Sequence, residues 1–245
     1  MATNDFLAGR VILLTGAGGG LGGAVARAAA AAGAELILCG RDQGRLETTY
    51  DTVVADGGPE PALFPIDFGG AAEADYERLA EGIETDFGRL DGIAHLAAAF
   101  GGLRPLASFT LEEWQRTLHA TLTAPFAVTR ACLPLLQAAP DAAVVFAADR
   151  QAASGAAFWG AYGAAKAGIE TLSAMLAAES GDGLRVHALD PGPLDTALRR
   201  RAFPGGDPES TPPEAAAAAC VRLLGPDGRD FHGRIVGPDD LTTRD

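Results

Sequence analysis

Short apolar runs alternate along the chain with longer stretches whose apolar positions recur every three or four residues. Val11 to Leu14 is apolar on both sides, as a strand buried on both faces of a parallel sheet must be. Gly20 to Ala32 predicts a helix, ended by Gly33. Glu35 to Cys39 predicts the second strand, and Gln43 to Ala55 a helix stopped by Gly57-Gly58-Pro59. Ala62 to Ile66 is the third strand. Ala71 to Phe87 is helical, with Leu79, Ile83 and Phe87 at i, i+4 and i+8. Gly92 to Leu96 is a fourth strand, and Leu111 to Leu136 a long helix bent near Pro125. Ala142 to Ala147, the helix Gly160 to Glu179 and Arg185 to Leu189 follow, then a helix from Pro213 to Leu224 and a short strand at Arg234 to Val236. This alternation implies a single α/β domain over residues 1–245. It would be a doubly wound, Rossmann-type parallel sheet of about seven strands with helices on both faces. The stretch from Arg199 to Pro213, rich in Gly, Pro and charge, reads as a mobile loop.

Composition narrows the partners. Of 245 residues, 48% are hydrophobic, enough for a large core, and the net charge is −13. A negative surface argues against nucleic acid or an anionic membrane as partner. No run approaches the ~18 apolar residues of a membrane span, and residues Met1 to Arg10 hold no signal-length apolar run. Cys39, Cys132 and Cys220 are odd in number, far apart and without Cys-x-x-Cys spacing. They read as buried thiols in a reducing, cytoplasmic compartment, and no metal site is legible.

Two segments carry candidate chemistry. The first is Thr15-Gly16-Ala17-Gly18-Gly19-Gly20-Leu21-Gly22, placed between the first strand and the first helix. Glycines there let the backbone approach a pyrophosphate, and the helix start offers it unpaired N–H groups. The second is Tyr162-Gly163-Ala164-Ala165-Lys166. Lysine and arginine together number 19, and Lys166 is the only lysine. A phenol and an ammonium at i and i+4 share one helix face. At about 4 Å and an effective dielectric near 20, a unit charge is worth roughly 4 kcal/mol. That predicts a phenol lowered from ~10 by up to about three units, towards useful acid–base chemistry.

The Thr-Gly-x-x-x-Gly-x-Gly spacing, with Tyr-x-x-x-Lys downstream, resembles the short-chain dehydrogenase/reductase family. Trp114, Trp159-Gly160-Ala161-Tyr162 and Ala202-Phe203-Pro204 are most similar to its YciK-like bacterial branch. The resemblance implies hydride transfer between a nicotinamide cofactor and a small carbonyl or alcohol substrate. It makes Gly16, Gly18, Gly19, Gly20, Leu21 and Gly22 the pyrophosphate loop, with Asp67 reaching the adenine. Pro191, Gly192 and Thr196 would hold the nicotinamide amide. Tyr162 would be the acid/base, and Lys166 would lower its pKa and bind the nicotinamide ribose. A homodimer or homotetramer built on the Leu111–Leu136 and Gly160–Glu179 helices is also implied. Gly40-Arg41-Asp42 follows the second strand, with no acid at the strand end. Arg41 there favours the 2′-phosphate of NADP, with NAD the alternative. The competing reading has Arg41 only capping the next helix or pairing with Asp42.

The resemblance breaks at the catalytic end. The serine it implies 13 residues before Tyr162 is Asp149. An ionised carboxylate only accepts hydrogen bonds, where serine would donate one to the substrate oxygen. Asp149 would be a protonated donor, a partner of Arg150 or of a cationic substrate, or a residue whose role is lost. The implied asparagine on the long helix is Thr121, and Asn-Ala-Gly after the fourth strand reads Leu96-Ala97-Ala98. Ser154 has the wrong offset. His95 and His119 read as structural. Arg199-Arg200-Arg201 could attract an anion but reads first as a solvated helix face. Two functions stand: an NADP-dependent oxidoreductase using Tyr162, Lys166, Asp149 and Thr121, or a nucleotide-binding homologue, weak or silent in catalysis, with a regulatory or scaffold role.

Overall fold

A computed structural model describes residues 5–242. Seven strands form one sheet in the order β3-β2-β1-β4-β5-β6-β7, and every pairing is parallel. They are β1 Val11–Thr15, β2 Glu35–Gly40, β3 Ala62–Pro65, β4 Gly92–His95, β5 Ala142–Ala147, β6 Leu184–Leu189 and β7 Ile235–Val236. The helices are α1 Gly20–Ala31, α2 Gln43–Ala55, α3 Glu73–Phe87, α4 Leu111–Leu118, α5 Ala124–Ala138, α6 Arg150–Ala153, α7 Gly160–Ser180, α8 Ala197–Ala202, α9 Glu214–Leu224 and α10 Pro238–Thr242. The doubly wound domain expected from the alternation is present, with boundaries within two residues for most elements.

The continuous apolar runs have their reason in two cores. Ile12 and Leu14 of β1 pack with Val25, Ala29, Leu46, Ala217 and Leu224 on the face covered by α1, α2 and α9. Val11 and Leu13 pack with Leu79, Val128, Cys132 and Ile169 on the face covered by α3, α5 and α7. A strand between two helical layers cannot show polar alternation. The sheet order reverses beside β1, which pairs with β2 on one side and β4 on the other. The crevice of such a sheet opens at the carboxyl ends of its strands there.

Three local features were not legible. The distortion in the long helix is a π-helical segment, His119–Thr123, between α4 and α5. It lies just before Pro125, which sits harmlessly in the first turn of α5. The Arg199–Pro213 segment begins inside α8, and a bridge between Leu194 and Thr211 ties its far end down. Arg185 is buried on β6, where it donates to Asp141 and to the carbonyls of Leu223 and Gly225 at the end of α9. The guanidinium thus satisfies carbonyls that the helix end leaves open.

Candidate active site

One cleft at the carboxyl ends of β1, β2, β4, β5 and β6 gathers the glycine loop, Arg41, Asp67, Asp149, Tyr162, Lys166, Pro191, Gly192 and Thr196. Its nucleotide side is shaped by missing side chains. Gly16 has φ +70°, and a Cβ there would lie 2.7 Å from the Ala97 backbone. A Cβ on Gly22 would lie 2.1 Å from the Gly16 carbonyl oxygen. The turn therefore demands glycine at both positions. Gly18 faces Arg45, and Gly20 faces the Thr196 methyl. A backbone cradle at the start of α1 fits a dinucleotide pyrophosphate.

Around the cradle, Asp42 caps α2 by accepting from the Arg45 N–H at 3.1 Å, and its ion-pair partner is Arg45 at 3.6 Å. Arg41 is therefore neither the cap nor the partner of Asp42. Arg41 and Arg45 both line the cleft and are exposed. Arg45, three residues after the Asp42 cap, is a second basic group on this side of the cleft. Asp67 accepts from the Gly69 N–H and pairs with Arg116. Burial alone would raise its carboxyl, but these contacts hold it below its ordinary value.

The catalytic side departs from expectation in its electrostatics. Tyr162 and Lys166 are 4% exposed. The Lys166 ammonium donates to the Ala147 carbonyl at 2.5 Å and lies 5.6 Å from the centre of the Tyr162 ring. Burial lowers Lys166 to about 8, against the pull of Asp149 and Asp190. The Tyr162 hydroxyl donates to Asp149 Oδ2 at 3.0 Å. Burial first, and Asp149 next, push the phenol well above its ordinary value, with Arg199 opposing. The expected lowering by Lys166 is not what this geometry produces.

Asp149 is also the N-cap of α6, its Oδ1 accepting from the Ala152 N–H at 3.0 Å. Arg150 does not serve it as a partner but faces Asp190, whose carboxyl burial raises while the Gly192 and Arg150 N–H groups oppose. Thr121 lies in the π segment and accepts from the Ala99 N–H at 3.0 Å, so it braces the loop after β4. Ser154 donates to the Gln151 carbonyl. His95 bonds Thr129 and stacks on Phe146, and burial takes it down to about 3. His119 bonds the Tyr76 hydroxyl. Both histidines are structural, as read from the sequence.

Further residues around the phenol were not read from the sequence as part of its immediate surroundings. Phe100 and Trp159 pack against the Tyr162 ring at 5.0 and 5.9 Å and form a roof over it. Arg199, read as part of a solvated face, is buried: it pairs with Asp207 and donates to Gln151 Oε1 at 2.7 Å. Arg201 donates to the Phe100 carbonyl at 3.2 Å. Asp190 directly precedes Pro191-Gly192, and that adjacency could have flagged it.

The model of the short chain dehydrogenase family matches residues 10–205. This chain belongs to the short-chain dehydrogenase/reductase family. It is 34% identical over 226 residues to the uncharacterized oxidoreductase YciK of Escherichia coli K12, spanning 92% of this chain and 90% of that one. A family structure from Shigella flexneri 2a, complexed with NADP, matches with a TM-score of 0.92 at 32% identity, covering 96% of this chain and 99% of that one. One from Escherichia coli CFT073, complexed with NADPH, matches at 0.91 with 33% identity, covering 96% and 98%. These likenesses place the chain in the YciK-like branch of the short-chain dehydrogenases, among oxidoreductases. Among the described residues, no helix is long and apolar enough to cross a membrane.

Proposed function

We propose that this short-chain dehydrogenase is an NADP-dependent oxidoreductase acting on a small carbonyl or alcohol. The observation that carries the reading is the buried Tyr162–Lys166 pair in the same cleft as the glycine cradle. Residues Gly16 to Gly22 would hold the pyrophosphate, and Asp67 would lie towards the adenine. Lys166 would meet the nicotinamide ribose, and Pro191, Gly192 and Thr196 the amide. When bound, the nicotinamide supplies hydride or accepts it. Arg41 and Arg45, with no carboxylate at the end of β2, favour a 2′-phosphate. The NADP and NADPH complexes of the two relatives support the same preference.

The chain's own groups would manage the proton and the water. Tyr162 Oη is the group placed to exchange a proton with a substrate oxygen, and Phe100 and Trp159 shield it. Lys166, fixed on the Ala147 carbonyl, keeps a cation beside the phenol ring. Three free buried cysteines support placement in a reducing, cytoplasmic compartment. Phe126 on α5 and Met175 on α7 expose half of their surface, which suits a dimer or tetramer through these helices. The test is a fluorescence titration with NADPH and NADH, followed by a turnover screen over carbonyls and alcohols. Tighter NADPH binding with turnover is expected. Binding with no turnover by any substrate would leave a silent homologue, and no binding would overturn the reading altogether.

A further inference from the structure

Resting on that reading, we propose that Asp149 is the terminal proton acceptor of the site and that Tyr162 relays the proton without holding a charge. The hydrogen bond runs from the phenol to the carboxylate, with Tyr162 Oη donating to Asp149 Oδ2 at 3.0 Å. The other carboxylate oxygen is committed to the Ala152 N–H. A helix cap needs only one of the two. The second oxygen is thus free for the phenol, and a serine in its place would have offered a hydroxyl donor as well.

The surroundings disfavour a tyrosinate. A charged phenol would face Asp149 across a single hydrogen bond, in a pocket where Tyr162 is 4% exposed. From α7, the Lys166 ammonium is anchored on the Ala147 carbonyl, 5.6 Å from the centre of the phenol ring, and burial works against its charge. From α8, Arg199 is held by Asp207 and Gln151. From the loop after β6, Asp190 adds a second carboxyl, faced by Arg150 of α6. The roof of Phe100 and Trp159 contributes no charge. The phenol rises well above its ordinary value for the same reasons.

The relay balances as follows. In alcohol oxidation the substrate hydroxyl proton passes to Tyr162 Oη as the phenol's own proton passes to Asp149 Oδ2. The carbinol C–H bond breaks, its hydride leaves for an oxidised nicotinamide, and the C=O bond forms. The products are the carbonyl compound, the reduced nicotinamide and a neutral carboxyl at Asp149. Carbonyl reduction runs the same transfers backwards, with the Asp149 carboxyl returning its proton through the phenol.

The discriminating variant is Asp149→Asn, which keeps a capping oxygen for Ala152 but turns an amide N–H towards the phenol. Its first readout needs no cofactor: ultraviolet absorbance of tyrosinate during alkaline titration, with Tyr162→Phe separating Tyr162 from Tyr50 and Tyr76. In the unaltered protein Tyr162 is expected to ionise well above the ordinary tyrosine range, and Asp149→Asn to bring its midpoint down towards that range. An unchanged midpoint would mean that Asp149 is a helix cap and nothing more, and would overturn the proposal. The second readout is turnover. Asp149→Asn is expected to lose about a hundredfold in kcat with NADPH affinity unchanged, and Asp149→Glu to regain part of it. A kcat equal to or above that of the unaltered protein overturns the relay. Should the unaltered protein turn over nothing, the oxidoreductase reading fails, and the absorbance arm alone decides the proton's place.

Discussion

The two ends of the cleft are held in shape by different means. At the nucleotide end the constraint is steric. A Cβ on Gly22 would stand 2.1 Å from the Gly16 oxygen, and no rotamer relieves a Cβ. At the catalytic end the constraint is chemical. Asp149 keeps the α6 cap that a serine would also supply, so the backbone gives no reason against it. A cradle made of absent side chains cannot drift without losing its turn. A donor can become an acceptor while the fold around it stays as it was.

The largest effect expected is at the catalytic end. Tyr162→Phe removes one oxygen and keeps the ring beneath Phe100 and Trp159. Turnover should fall about a thousandfold, while NADPH affinity in a fluorescence titration stays within about twofold of the original. Retained turnover would break the comparison, because the chemistry would then lie elsewhere in the cleft.

The nucleotide end has its own pair of tests. Gly22→Ala should weaken NADPH binding about a hundredfold, since the Gly16 carbonyl and the turn it closes must shift by an ångström or more. Gly23→Ala is the control, because the nearest atoms to a Cβ there are 3.8 Å away. It should bind as before, and far-UV circular dichroism should report both variants folded. Equal loss in the two variants would mean that helix packing, not the cradle, is what matters.

The same contrast explains what the sequence made legible. Apolar runs such as Val144-Val145-Phe146 revealed their strands because both faces are buried. The glycine run revealed the cradle because only glycine fits it. Tyr162 and Lys166 were found by their i, i+4 spacing, but the lowering of the phenol expected from Lys166 is outweighed by burial and by Asp149. Spacing puts the two on one face but does not say that the ammonium is anchored on the Ala147 carbonyl or that the phenol's proton points at Asp149. Phe100, which packs on the Tyr162 ring, and Arg199 and Asp190, whose charges act on its hydroxyl, come from three separate segments that only the closed fold brings together. The π segment at His119–Thr123 has no sequence period of its own.

The buried ammonium sharpens the comparison through stability. In the unfolded chain Lys166 keeps its proton up to its ordinary value of 10.5, and in the fold only up to about 8. Between those values the unfolded state binds more protons, so this group's contribution to stability grows as pH rises through that window. Its penalty is complete below about pH 8. Lys166→Met should therefore gain stability over the original protein near pH 7, and the gap should shrink by about 2 kcal/mol near pH 10. Urea unfolding of the cofactor-free proteins at the two pH values measures it. A gap independent of pH would place the ammonium in water.

The smallest effect returns to the nucleotide end, to the residue that motif reading passed over. Arg45 holds its backbone N–H on the Asp42 cap, so Arg45→Ala removes a guanidinium and leaves the cap in place. Its side chain is paired with Asp42 only at 3.6 Å and is mostly exposed, a weak tie that a phosphate could displace. Arg41 has no share in that cap and, at the end of the strand beside that of Asp67, helps to lower the Asp67 carboxyl. If both arginines meet a 2′-phosphate, each single alanine variant should lose about tenfold in NADPH affinity, the worth of one charge-assisted bond, with NADH affinity unchanged. Should only Arg41→Ala show the loss, Arg45 belongs to Asp42 and the preference rests on one residue. Should neither, selectivity at this end comes from the missing carboxylate after β2, and Gly40→Asp should then shift preference towards NADH.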